Sequence, residues 1–235
     1  MLNIEQQFYI RQSDIINRLL LSSVSIIGCG ASGSCIGILL GKLGCQFIEL
    51  WDGDIVEPHN LPNQYYPDDS LGESKAYELK EVILKYTPPG IKPTITVHNE
   101  YYEDQSLSGK IVFLCVDGLM NRSKVFDNLM SKRLDWVIDT RMGAEYYEVH
   151  TIKMDDDDDI NTYFYTLQGD GMPLPCTGRS VIYNVMSMSS MAISLYVKMI
   201  RKNERDHIPK KITFDLISYT ITRQYRENDN PIIKI

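Results

Sequence analysis

A chain of 235 residues, 43% hydrophobic and 23% charged, is long enough to bury one sizeable core and has the composition of a globular protein. Its formal net charge of -7, with no basic cluster to offset it, removes the general attraction to nucleic acid and to anionic membrane, which leaves small ligands and protein partners as the expected ones. The five cysteines, at 29, 35, 45, 115 and 176, include no C-x-x-C pair, so a zinc ribbon and a paired disulfide framework are excluded and a reducing, cytoplasmic compartment is expected.

Along the chain, "MLNIEQQFYIRQSD" carries Glu5 early and lacks the basic-then-apolar layout of a secretory signal. Apolar spacing predicts a helix over 4–21, then a strand over 24–27. A glycine turn follows, and after it a helix over 32–43 closed by Gly44 and a second strand over 47–51. The loop "EPHNLPNQYYPDDSLG" has no apolar period. A helix is expected over 73–86, a strand over 94–97, a buried strand in "KIVFLCVDG" with an acid at its carboxyl end, and a helix over 122–133. "DWVIDTRMG" reads as another strand, and residues 146–153 as an alternating strand of edge type. The acidic run 155–159 is expected to be a solvated loop. "SVIYNVMSMSSMAISLYV" approaches a membrane span in length, but Asn184 and five serines make it a buried core helix. "ITFDLISYTITRQY" alternates as one or two antiparallel strands. The alternation of strand and helix predicts an α/β, Rossmann-like doubly wound sheet, mainly parallel with antiparallel C-terminal strands, whose ligands bind beyond the strands' carboxyl ends. No linker or repeat divides residues 1–235, which are expected to form a single domain.

"GCGASG" fits G-x-G-x-x-G: Gly28 allows the tight turn, Gly30 lets backbone approach a phosphate, and Gly33 lets helix pack on strand. The helix start offers N–H groups and a positive dipole end to an anion. Asp52, at the end of the next strand and about 20 residues on, sits where a carboxylate accepts both hydrogen bonds of a ribose diol. These features alone suit a dinucleotide and an NAD-linked oxidoreductase.

Further motifs change that reading. "DGDIVEPHNLPNQ", then "GESK", then "CVDGLMNR" resemble the ThiF/MoeB and ubiquitin-activating-enzyme superfamily, in which an Asp-x-Asp strand end precedes a Ser-Asn-Leu-x-Arg-Gln loop, a Gly-x-x-Lys helix start and a Cys-x-Asp-x-x-x-x-Arg strand end. Asp52, Asp54, Asn60, Leu61, Gln64, Gly72, Lys75, Cys115, Asp117 and Arg122 hold the corresponding places. The resemblance implies attack by a C-terminal carboxylate on the α-phosphate of Mg-ATP, giving an acyl-adenylate and pyrophosphate. Bringing two anions together requires cations and N–H donors. By the resemblance Lys75 and Asn60 hold the phosphates and Asp117 holds Mg²⁺; taken singly, the three are also a solvated helix residue, a turn former and a helix cap. "YIRQ" resembles the N-terminal Arg-Gln motif that reaches a partner's ATP in family dimers, so Arg11 either completes a homodimer's site in trans or is a surface arginine.

One position departs from the pattern. Asn63 stands where the family has an arginine, so either Arg11 or another base supplies that charge, Asn63 serves as a neutral donor, or the chain binds nucleotide as a scaffold without turning it over. "PLPCTGRS" resembles the Pro-x-Cys-Thr of ubiquitin-activating enzymes, which makes Cys176 a thioester nucleophile, helped by Arg179, or else a remnant of the zinc-site cysteines of the ThiF/MoeB branch. The other four cysteines are expected to be inert packing. Arg141 in "DTRMGAE" either meets the substrate's tail or pairs with Asp139 or Glu145. The expected partner is a ubiquitin-like or sulfur-carrier protein or peptide ending in glycine, its tail covered by a crossover loop over 155–179; the expected cofactors are ATP and Mg²⁺, without zinc.

Overall fold

The computed structural model describes residues 4–16, 21–87, 90–168, 180–201 and 207–226. Eight strands form one sheet: β1 (Val24–Ile27), β2 (Phe47–Trp51), β3 (Thr94–His98), β4 (Ile111–Leu114), β5 (Trp136–Met142), β6 (Tyr146–Lys153), β7 (Lys211–Asp215) and β8 (Thr220–Gln224), in the order β3-β2-β1-β4-β5-β6-β7-β8. Pairings from β3 through β5 are parallel, and those from β5 to β8 antiparallel. Every residue of "VSII" and "IVFL" is buried, as strands covered on both faces must be. Their alternate side chains feed two apolar layers. Ile111 and Phe113 join the layer of α2 (Ala31–Leu43) and α6 (Ile182–Arg201), whereas Val112 and Leu114 join that of α4 (Leu119–Met130) and α5 (Asp157–Gln168). The chain leaves β1 toward β2 and returns on its other side as β4, so the switch point that opens a ligand crevice lies between β1 and β4.

Most expected elements stand close to where the residue pattern puts them, including the β7–β8 hairpin and α3 (Lys75–Tyr86). Four differ. The helix expected over 4–21 is only α1 (Ile4–Tyr9); tight turns carry the chain on to Ile16, with Ser13 Oγ donating to the Ile10 carbonyl in competition with helical bonding, and residues 17–20 lie outside the described set. β6 is interior, paired on both sides, because its charged alternate residues face a cavity rather than solvent. The acidic run is a helix start: Asp157–Asp159 form the first turn of α5, where acids suit the dipole, and Asp156 Oδ1 accepts the N–H groups of Asp158 (3.0 Å) and Asp159 (3.2 Å). Asp159 is 3% exposed and pairs with Arg226 and Lys210. The crossover over 155–179 is therefore helical across α5, and residues 169–179 lie outside the described set. Among the described residues no helix is long and apolar enough to cross a membrane.

The close contact at the glycine turn yields a direct prediction. A Cβ at Gly33 would collide with the Gly28 carbonyl, a backbone atom that cannot step aside. Gly33→Ala is expected to destabilise the fold by about 1–3 kcal/mol and to lower the thermal midpoint by several degrees, whereas Gly30→Ala, which meets nothing within 4 Å, leaves the midpoint nearly unchanged.

Candidate active site

The turn between β1 and α2 is built by its glycines. Gly28 has φ +94°, and a side chain there would lie 2.6 Å from the Cys115 carbonyl oxygen. Gly30 N-caps α2 with no side-chain hydrogen bond, and open space lies where its Cβ would be. The first-turn N–H groups thus border a cavity with no capping side chain in the way, as an anion site requires.

The carboxyl end of β2 is tied to this turn. Asp52 is buried, its Oδ2 accepting the Cys29 N–H at 2.6 Å and its Oδ1 the Asp54 N–H at 2.8 Å. Burial raises its pKa, against the pull of those two backbone donors. Asp54 binds Lys75 Nζ at 2.9 Å and the Tyr101 hydroxyl. Burial alone would raise the Asp54 pKa; Tyr101 and Lys75 bring it below the usual carboxylate value. Lys75 opens α3 and is buried, not solvated. The Tyr66 hydroxyl, 2.5 Å from the Cys29 carbonyl and 3.2 Å from that of Lys75, joins the turn to α3.

Asn60 is buried, and its Oδ1 accepts the Glu57 N–H at 2.9 Å, capping the 3-10 turn Pro58–Asn60. Asn63 Nδ2 donates to Ser180 Oγ at 2.5 Å, just before α6. The Asn63 and Gln64 side-chain oxygens are buried without a hydrogen-bond partner among the described residues. Asp117 is exposed beyond β4 and does not cap α4, whose N-cap is Gly118; it makes no hydrogen bond or ion pair among the described residues. A carboxylate left without a protein partner beside the cavity fits Mg²⁺, which takes one or two carboxylates plus phosphate oxygens and water.

Of these groups Gly28, Gly30, Asp52, Asp54, Asn60, Asn63, Gln64, Lys75, Tyr101 and Asp117 line one cavity of about 1080 Å³, whereas Cys29 and Tyr66 brace it from behind. Gly33 lies behind the turn, packed against it. Arg11 does not line the cavity. It sits on an exposed turn after Tyr9, whose hydroxyl reaches the Gly44 carbonyl (3.4 Å) at the far end of α2, roughly 20 Å of helix from the glycine turn. Cys176 and Arg179 lie outside the described residues. The other cysteines are buried, and burial pushes the Cys115 thiol up to about 11 and the Cys29 thiol well above its ordinary value, so they behave as packing.

The cavity extends past β4 to a lobe of which sequence reasoning named Arg122, Asp139 and Arg141 and missed Glu148, His150 and Lys211. At its floor, Asp139 is fully buried between Arg122 and Arg141 and accepts the Tyr163 hydroxyl at 2.9 Å. Burial would raise the Asp139 pKa, but the two guanidiniums hold it low. Arg141 therefore pairs with Asp139, at 2.6 Å, as the second of its readings has it, and it also lines the cavity. Beside it Glu148 bonds His150 Nε2 (2.9 Å) and Lys211 Nζ (3.1 Å). Burial pushes the His150 pKa down. Burial would push that of Glu148 up, but the hydrogen bond and charge of His150 bring it far below the usual value. The available signal was the alternation of charged residues in "YEVHTIK", which marks a polar face wherever that face points.

Residues 5–231 match the family model of the ThiF family. No curated protein matches the chain in sequence. Among solved structures, PaaA superposes with a TM-score of 0.75 at 19% identity, over 96% of this chain and 74% of PaaA. Escherichia coli MccB in complex with ATP gives 0.71 at 17%, over 88% of this chain and 65% of MccB. MccB with AMPCPP and MccA gives 0.70 at 17%, over 88% and 64%. In these two structures the chain spans slightly less than two thirds of MccB. The eight-stranded sheet, the glycine turn and the match along nearly the whole length agree: the chain belongs to the ThiF family.

Proposed function

We propose that this chain, acting as one adenylation domain over residues 1–235, uses ATP to adenylate the C-terminal carboxylate of a peptide or small carrier protein. The observation that carries the reading is the convergence, in one cavity, of an uncapped helix start, a buried lysine and an unpartnered carboxylate. That set suits a triphosphate. MccB structures with ATP, and with AMPCPP and MccA, support the same choice over a dinucleotide.

In the reaction, a carboxylate oxygen of the tail bonds to the α-phosphorus as the bond to the bridging oxygen breaks, and pyrophosphate carries away the electron pair. The N–H groups at the start of α2 receive phosphate oxygens, and Lys75 trades Asp54 for a phosphate, neutralising charge as the two anions approach. Asp52, with a lone pair still free on each oxygen, takes the ribose hydroxyls. Asn60 and Gln64 line the phosphate side. Asp117 would hold Mg²⁺, which supplies charge neutralisation at the phosphates. No zinc is invoked.

The arginine of the family loop is replaced by Asn63, whose amide is engaged by Ser180, so the missing charge comes from elsewhere. Since Arg11 lies about the length of α2 from its own cavity, the reading assigns it to the site of a second copy in a homodimer. A C-terminal glycine, as in ubiquitin-like and sulfur-carrier proteins, is the simplest terminus for the tail. Cys176 is the candidate acceptor for a later thioester. The place of action is the cytoplasm. The engaged Asn63 amide favours one second reading, a nucleotide-binding scaffold of the same fold that lacks turnover.

Pyrophosphate–ATP exchange separates the two. Adenylation predicts exchange that depends on a C-terminal peptide and falls at least about 100-fold in Lys75→Met, whereas a scaffold binds ATP without exchange. Mixing tests Arg11: Arg11→Ala and Lys75→Met, each inactive, should recover about a quarter of wild-type exchange once mixed and reassorted, because half the dimers then carry one intact site. No recovery from reassorted dimers, or full activity of Arg11→Ala alone, would overturn the assignment of Arg11 to the partner's site.

A further inference from the structure

The polar lobe over β5, β6 and β7 has a net charge. Register and alternation set its members on one face: Asp139 stands opposite His150, Arg141 opposite Glu148, and His150 opposite Lys211. The opposite face, with Ile138, Tyr147, Val149 and Ile212, packs into the apolar layer under α6. Buried charge of this density is weak evidence for stability, since desolvation consumes most of the attraction. Its composition is informative. Arg122, Arg141 and Lys211 bring three positive charges, Asp139 and Glu148 bring two negative ones, and His150 adds no negative charge, which leaves at least one uncompensated positive charge. Both Glu148 oxygens are occupied, by Tyr146 and Lys211 on one and His150 on the other. Arg141 carries five N–H donors, more than its bonds to Asp139 and Thr166 consume. Arg141 and Lys211 both line the cavity.

We propose that this lobe binds an acidic side chain, Asp or Glu, on one of the three residues preceding the terminal one of the activated tail, with Arg141 and Lys211 as the specificity-determining residues. The inference rests on the adenylation reading above. The position follows from spacing. Strands lie about 4.8 Å apart, so the β5 and β6 faces stand about 10 and 14 Å from β1, whose glycine turn borders the phosphate site. An extended tail advances about 3.3 Å per residue, so with its terminal carboxylate a few ångströms from that turn, the residues two to four places from the end cross the lobe. The terminal residue itself does not reach it, and a glycine there is compatible.

The test is a position-scanning set of octapeptide pools, degenerate except that one of those three positions is fixed as Asp, Glu, Gly, Asn or Lys, assayed with wild-type protein by pyrophosphate–ATP exchange. One position is expected to favour Asp or Glu over Lys by at least about tenfold, as expected for a desolvated charge pair. Lys211→Glu, which lowers the charge of the lobe by two, is expected to reverse that order while ATP still raises the thermal midpoint. Should this variant fail to fold, Lys211→Met is expected to reduce the acidic preference at least threefold, the loss expected from a partly exposed pair. Exchange that is equal across fixed residues, or best with Lys, overturns the acidic lobe and leaves adenylation standing. Absence of exchange from every pool overturns both.

Discussion

The Asp52 carboxylate is the constraint on which the rest of the site depends. One oxygen holds the N–H of Cys29 in the glycine turn, the other the N–H of Asp54 in the segment leaving β2, so a single buried acid fixes two loops that the sheet alone would leave independent. From that tie the remaining geometry follows. Asp54 is held where it pairs with Lys75, Lys75 is thereby fixed at the start of α3, and Tyr66 closes the ring by joining the turn to the Lys75 carbonyl. A carboxylate accepting backbone N–H groups forms strong, charge-assisted bonds, which offsets the cost of burying it. The glycine turn, the end of β2 and the start of α3 are therefore held in one frame by protein groups, as electrostatic preorganisation demands.

The cavity has two halves with different physics. Around the glycine turn the donors are backbone amides and one lysine, with open space beyond Gly30; over β5 to β7 they are side chains already committed to one another in a buried ionic network. The first half is shaped for charge that is concentrated and strongly anionic. The second keeps a small surplus of positive charge in a fixed frame, which suits discrimination between tails better than it suits raw affinity. The α5 helix, through Tyr163 and Thr166, walls this second half, so the acidic run that opens it serves the site indirectly by anchoring a helix start.

Much of the first half was legible in the sequence because its signals are local. The glycines, the strand before them and the acid after the next strand each follow from residue type and spacing, and the lysine at a helix start from the resemblance to the ThiF/MoeB superfamily. β1 and β4 were readable as continuous apolar runs, and α6 as a long segment free of charge but too rich in serine for lipid. The second half was legible only in part: Arg122, Asp139 and Arg141 were named, but not their union with Glu148 and His150 on β6 and Lys211 on β7, because these members lie far apart in sequence and meet only through strand register. Alternation in β6 identified a polar face without saying whether it meets water or a cavity. The same limit misplaced the acidic run, since five consecutive acids look solvated until Lys210 and Arg226 are found beside Asp159. Arg11 was recognisable as a motif, but its distance from its own cavity emerged only when Tyr9 was found against Gly44.

The central claim is that the rim between β1 and β4 grips a triphosphate, using the N–H groups at the start of α2 and the lysine that Asp54 holds in waiting. A crystal structure of the protein with magnesium and AMPCPP tests it most directly. The account predicts phosphate oxygens within hydrogen-bond distance of the backbone at Gly30 to Ser32, with Lys75 Nζ moved from Asp54 onto a phosphate. Nucleotide bound elsewhere, or bound at the rim with Lys75 still paired to Asp54, would contradict it.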